Sequence, residues 1–262
     1  MSFLNLPLRW TKGLLKFGWS LLINLVLATM LVWMMMRAPT VHKTLLRAYV
    51  GPSVFYAYPT GESGGGGTAF SITAPSGKTY FVTNDHICVE SKNGLVQLKS
   101  EDGKTVWVKI IDRSLTNDLC LLESLAGVRG LSIASKVFVG EQVVAIGHPD
   151  LKHLTISNVG EIIDAGPVTL ATKSIKSMIE INSVNCDTAN PKFKMREDSE
   201  SKWCEILLNS AYFTNVLIQP GNSGSPLINF YGKVVGVISG VDSYGWAVAV
   251  TVDELHKFLI NR

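Results

Sequence analysis

Cysteine is scarce, with four in 262 residues at positions 88, 120, 186 and 204 and no CxxC pair. That spacing argues against a zinc site, and neither a metal nor a cofactor is expected. Charge is sparse as well: charged residues make up 17% of the chain, against 47% hydrophobic, which excludes a disordered polymer. Acid is missing altogether from residues 1–61, where Arg9, Lys12, Lys16, Arg37, Lys43 and Arg47 precede the first carboxylate, Glu62. The remainder carries 18 basic and 21 acidic residues. A body of that balance has no basic stripe for nucleic acid, so no nucleic-acid partner is expected. The glycine run at 64–67 is not followed by GK[ST], which removes the phosphate-cradle reading and leaves a flexible entry into a strand at Thr68–Ile72.

The apolar excess has a location. Phe17–Met36 is a run of 20 residues without a charge, and as a helix it spans roughly 30 Å, the thickness of a hydrocarbon core. Trp10, Trp19 and Trp33 lie near its ends, where indoles favour the headgroup region. The run is too long for a signal peptide and no small-x-small cleavage site follows Met36. We therefore expect a basic N-terminal segment with a transmembrane helix (residues 1–36, the span at about 17–36), a single-pass membrane localisation and the lipid bilayer as a partner. Basic residues flank both ends of the run, so the charge pattern leaves its orientation open. Residues 37–63 read as a connector, with Pro39, Pro52 and Pro59 and a short helix around His42–Tyr49.

From residue 64 to the end the sequence reads as one globular domain. Short β-branched or aromatic runs alternate with turn residues: Tyr80–Thr83, Val106–Ile111, Leu119–Glu123, Gln142–Ile146, Val216–Ile218, Leu227–Asn229, Val234–Ser239 and Trp246–Val250. The pattern predicts an all-β antiparallel sandwich or barrel. A short amphipathic helix closes the chain from Asp253 to Ile260, with acids in its first turn.

Three segments carry chemistry. In Val82-Thr83-Asn84-Asp85-His86-Ile87-Cys88 a histidine stands directly after a buried strand, where a scaffold can hold an imidazole rigidly. In Asn117-Asp118-Leu119-Cys120-Leu121-Leu122 a carboxylate opens an apolar strand. A buried Asp needs a partner, and an imidazole N–H serves. In Gln219-Pro220-Gly221-Asn222-Ser223-Gly224-Ser225-Pro226 glycines flank a serine, giving room for an exposed hydroxyl and for backbone N–H groups turned toward an oxyanion.

Together these segments resemble the trypsin-like (chymotrypsin-fold) serine endopeptidases, most closely the HtrA/Deg branch. Gly140–Pro149 and Gly232–Val237 add to the resemblance, and the chain order His, Asp, Ser is that of this fold. The resemblance implies two six-stranded antiparallel β-barrels, at about 66–125 and 137–252, with the site between them. It implies a catalytic triad of His86, Asp118 and Ser223, an oxyanion hole from the N–H groups of Gly221 and Ser223, and protein or peptide substrates. It also implies a pocket for the residue before the scissile bond, with its floor at Leu217 and Ile218 and walls from Ser239, Gly240, Val241 and Gly245–Ala247. No carboxylate or histidine stands in that pocket, so a small or medium aliphatic residue is expected there.

Ser225 stands where the family usually has glycine. Residues 164–215 form a long, charged insertion in the second barrel. Only ten residues follow Val252, so no PDZ module is expected. Cys88 and Cys120 read as small buried residues, while Cys186 and Cys204 flank the insertion and would staple it in an oxidising compartment. Two function classes remain: a membrane-anchored endopeptidase, in quality control or in viral or phage polyprotein processing, and a catalytically silent homologue serving as a membrane-tethered binding module.

Overall fold

The computed structural model describes residues 9–37, 39–59, 65–89, 91, 93–171, 193–197, 202–242, 244–260 and 262. It divides into two compact units, residues 1–45 and 46–262. In the first unit, helix α1 runs from Arg9 to Arg37, and every side chain from residue 18 to residue 33 is exposed. Among the described residues no helix is long and apolar enough to cross a membrane. Helix α2, Pro39–Val50, begins in the first unit and ends in the second, where Leu46 and Val50 are core residues.

The second unit holds two barrels. Strands β1 (Val54–Pro59), β2 (Gly67–Thr73), β3 (Thr79–Thr83), β4 (Leu95–Lys99), β5 (Thr105–Ser114) and β6 (Leu119–Leu122) close into an antiparallel barrel in the order β1-β2-β3-β6-β5-β4. Its core is Phe55, Ala57, Ala69, Phe81, Val96, Leu98, Val108 and Leu122. The stretch 37–63, expected as a connector, thus contributes α2 and the barrel's first strand. Val54-Phe55-Tyr56-Ala57-Tyr58 is aromatic and β-branched, as a strand buried on nearly all sides requires.

Strands β7 (Gln142–Gly147), β9 (Gly160–Ala171), β11 (Lys202–Thr214), β12 (Pro226–Asn229), β13 (Val234–Val241) and β14 (Ala247–Thr251) form the second six-stranded barrel, closed where β9 pairs with both β11 and β7. Strand β8 (Thr155–Ile156) lies at its edge against β7, and β10 (Phe193–Glu197) pairs with the outer half of β11. The charged insertion is therefore built on two barrel strands prolonged past the barrel wall, with residues 172–192 outside the described set. The expected strand Val216–Ile218 is a loop, because side chains take its amides: Val216 N donates to Thr214 Oγ1 and Leu217 N to Asn158 Oδ1.

Between α3 (Asp85–Cys88) and β6 a disulfide joins Cys88 to Cys120. This corrects the expectation that both cysteines are simply small buried residues: Cys120 is the ladder partner of Thr83, and α3 carries Cys88 back over that pair. Cys186 lies outside the described residues, so the Cys186–Cys204 staple does too. Helix α4 (Val252–Leu259) ends the domain, capped by Thr251 Oγ1, which accepts from Glu254 N. Leu255 and Leu259 enter a core with Leu46, Val50, Val54, Leu121, Val144 and Val234 that fastens the two barrels together.

Candidate active site

Three of the sequence-selected residues come from loops at strand ends. Strand β3 delivers Asn84 and then α3, whose second residue is His86. Asp118 follows a 3-10 turn, Leu115–Asn117, and takes a left-handed backbone (φ 50°) before β6 begins. Asn117 Nδ2 donates to Glu254 Oε2 at 3.0 Å, pinning that turn to α4. Asp118 is 3% exposed. Its two carboxylate oxygens each lie 3.0 Å from His86 Nδ1, and His86 N donates to Oδ1 at 3.1 Å. A carboxylate only accepts, so the imidazole donates from Nδ1 and the neutral ring has Nε2 as its acceptor. Two more donors fix the aspartate: Asn84 Nδ2 reaches its backbone oxygen at 2.9 Å, and Ser239 Oγ donates to its Oδ2.

The Ser223 loop is shaped by close backbone approaches. Gly221 and Gly224 have φ of +93° and +82°, a region that side chains disfavour. Space is as restrictive: a Cβ on Gly224 would meet Thr68 O at 2.0 Å, and one on Gly221 would meet His148 O at 2.4 Å. Pro220 O accepts from Asp150 N at 2.6 Å and Gly221 O from Thr68 Oγ1 at 2.8 Å. The planar trans peptide then turns the Gly221 N–H away from Asp150. Among the described residues no backbone carbonyl takes the N–H of Gly221 or of Ser223. Ser223 Oγ lies 3.4 Å from Ser239 O.

The second barrel presents Ser239, Gly240 and Val241 along β13. Ser239 is buried and Val241 is 54% exposed, while a Cβ on Gly240 would meet nothing within 4 Å. Gly245 sits in the turn before β14 with φ +86°. Leu217, expected at a pocket floor, is 74% exposed, because the Asn158 bond to its amide turns this loop outward. Ile218 is partly buried and packs on the second barrel's core.

Several residues of this site had no role in the sequence reading. Thr68 Oγ1 takes the His148 amide at 3.1 Å and gives its own proton to Gly221 O, so one hydroxyl ties β2 to both loops. His148 is fully buried and stacked on Tyr56 with ring centroids 3.6 Å apart. Burial pulls its pKa down to about 4. Asp150 and Leu151 hold left-handed backbone at φ 52° and 55°, and the first presents the amide that holds Pro220 O. Aspartate tolerates such backbone, but a leucine at positive φ carries no signal in the sequence. The departure at Ser225 is accommodated by Gly147, whose missing Cβ would lie 1.9 Å from Ser225 Oγ.

The model of the trypsin-like peptidase domain matches residues 67–237. The serine protease Do-like HtrB of Bacillus subtilis is 29% identical over 66% of this chain and 33% of its own length. The serine protease Do-like HtrA of the same organism is 26% identical over 78% and 42%. The chain thus spans well under half the length of these relatives. The Rv3671c protease of M. tuberculosis, in its active form, superposes with a TM-score of 0.59 at 21% identity, covering 82% of each chain. At that identity the likeness is one of fold.

Proposed function

Because this chain belongs to the trypsin-like peptidase domain family, a class of serine-type endopeptidases, we propose that it hydrolyses peptide bonds through His86, Asp118 and Ser223. The observation that carries this reading is the Asp118 carboxylate spanning His86 Nδ1 at 3.0 Å from both oxygens. Ser223 Oγ attacks the scissile carbonyl while His86 Nε2 takes its proton and later returns it to the leaving amine. Asp118 holds the tautomer and stabilises the imidazolium. The N–H groups of Gly221 and Ser223 receive the oxyanion. Ser223→Ala is expected to lower kcat by about 10⁴-fold or more with the melting temperature unchanged. Equal turnover by the alanine variant overturns the mechanism.

The substrate strand lies along Ser239–Val241, and the pocket beside Gly240 and Gly245 takes a small or medium aliphatic side chain. A charged side chain there would be desolvated without a partner. Discrimination by a methylene is only about 1–3 kcal/mol, so the preference is graded. Profiling a peptide library checks it: dominant cleavage after Arg, Lys, Glu or Phe refutes the assignment.

We further propose that helix α1 attaches the enzyme to a membrane, a reading supported by the uncharged sequence run Phe17–Met36 and by the exposure of Trp19, Leu21, Leu22, Ile23, Leu25, Val26, Leu31 and Trp33. The Cys88–Cys120 bridge supports placing the protease domain on the oxidising side of that membrane.

A further inference from the structure

Helix α3, which carries His86, is four residues long. One turn is too short to hold its own shape, since nucleation fixes several dihedrals for one hydrogen bond. The position of the imidazole must therefore be set by what α3 is tied to. Two ties grip its ends. At the last residue, Cys88 is bridged to Cys120 of β6. At the first, Asp85 meets Arg113 of β5, with Nε 2.5 Å from Oδ1 and Nη2 3.0 Å from Oδ2. Arg113 and Cys120 are direct partners in the β5–β6 ladder, so one rung of the sheet holds both ends of the turn, with His86 between them.

The Asp85 side chain is 7% exposed and that of Arg113 31%. A buried carboxylate is costly, and replacing a buried ion pair by apolar residues is often neutral or stabilising. Stability alone therefore does not account for the pair. Its geometry does: a planar guanidinium gripping both carboxylate oxygens fixes an angle as well as a distance. Its charge matters too. The charged groups acting on Asp85 are Arg113, Asp118 and His86, which puts a second aspartate in the electrostatic neighbourhood of the triad and a cation directly upon it.

We propose that Asp85 and Arg113 are a positioning pair for His86. The fork sets the angle at which α3 presents the imidazole to Asp118, and the cancelling charges leave Asp118 as the anion the imidazole responds to. The inference rests on the triad reading above. Burial raises the Asp85 pKa, and the Arg113 hydrogen bond and charge offset only part of that rise, consistent with a carboxylate that depends on its partner.

The test compares Asp85→Asn, Arg113→Gln, Arg113→Lys and the Asp85→Asn/Arg113→Gln double variant in the full chain. It reads kcat, KM, melting temperature and the pH profile of kcat/KM, whose acid limb reports the free His86. Both neutral single variants should lose about 10- to 100-fold in kcat with KM nearly unchanged. Only one acid limb should move. Asp85→Asn leaves a cation and moves the limb to lower pH; in Arg113→Gln the buried Asp85 takes up a proton for want of its cation, so the limb stays in place while kcat falls. The double variant should return the limb to its wild-type position while kcat stays low. Arg113→Lys, which keeps the charge without the fork, should lose kcat with the limb in place. A limb that stays fixed in Asp85→Asn overturns the proposal, including where the melting temperature has fallen, as does full kcat in Arg113→Gln. A wild-type chain inert toward both peptides and a fluorophosphonate would instead count against the triad reading itself.

Discussion

His148 shows how a residue outside the proposed triad can govern when the site stays assembled. Its ring is buried against Tyr56, its Nδ1 faces Lys152 O at 3.2 Å, and its amide is held by Thr68 Oγ1. Its pKa is about 4, against an ordinary 6.5, because burial disfavours the cation. Above pH 6.5 neither the folded nor the unfolded chain protonates this ring. Between 6.5 and 4 the unfolded chain takes up a proton that the fold refuses, so stability falls as the pH drops through that window. The loss is on the order of 3 kcal/mol by its lower end. Urea midpoints measured from pH 7 to pH 4 should fall more steeply for the wild type than for His148→Phe, which keeps the ring stack and removes the proton site. Parallel curves would refute the assignment. At this scale the sequence was legible where chemistry restricts identity: His86, Asp118 and Ser223 stood out because few residue types could do the work proposed for them, and the structure brings the first two into hydrogen-bond contact. Arg113 did not, because an arginine in an alternating strand looks like any solvated face. Cys88 and Cys120 were misread because nothing in their separation of 32 residues shows that β3 and β6 are ladder neighbours.

Among the elements, α2 changes how the chain divides. The proline-bearing stretch 37–63 looks like a tether, yet Leu46 is 5% exposed and Val50 fully buried in the core shared with Leu255 and Leu259. Arg129 caps this contact by stacking 4.2 Å over the Tyr49 ring. Removing residues 1–45 should therefore leave a folded domain. Removing 1–50 should destabilise it by at least about 2–5 kcal/mol, the usual cost of emptying one large aliphatic site. Thermal melts of the two truncations decide this: equal melting temperatures would show that the end of α2 is dispensable. The strands of the first barrel that carry the site, β3, β5 and β6, were readable from their alternation and their turns. Strand β1 was hidden by Pro52 just before it and by Pro59 at its last position. The prolonged β9 and β11 were hidden because the charged run Lys192, Lys194, Arg196, Glu197 and Asp198 made the whole stretch read as an insertion. The Val216–Ile218 run has strand composition but gives its amides to Asn158 and Thr214, a choice made by tertiary neighbours rather than by propensity.

For the molecule as a whole, the site lies where two barrels meet, and each contributes what the other lacks. The first supplies the imidazole and its carboxylate. The second supplies the Ser223 hydroxyl, the backbone N–H groups proposed to receive the oxyanion, and Ser239, which crosses over to Asp118. Thr68 N to Ser223 O at 2.8 Å and the Thr68 hydroxyl to Gly221 O bind the halves at the nucleophile, and the Cys88–Cys120 bridge restrains the unfolded chain by roughly 3–4 kcal/mol in the loop-entropy account. The central claim is that this junction makes Ser223 a nucleophile. The most direct measurement treats the full chain with a fluorophosphonate and locates the adduct by peptide mass spectrometry. The account predicts a single adduct on Ser223, lost in Ser223→Ala and strongly slowed in His86→Ala. An unmodified Ser223, or an adduct that forms equally fast without His86, would contradict it.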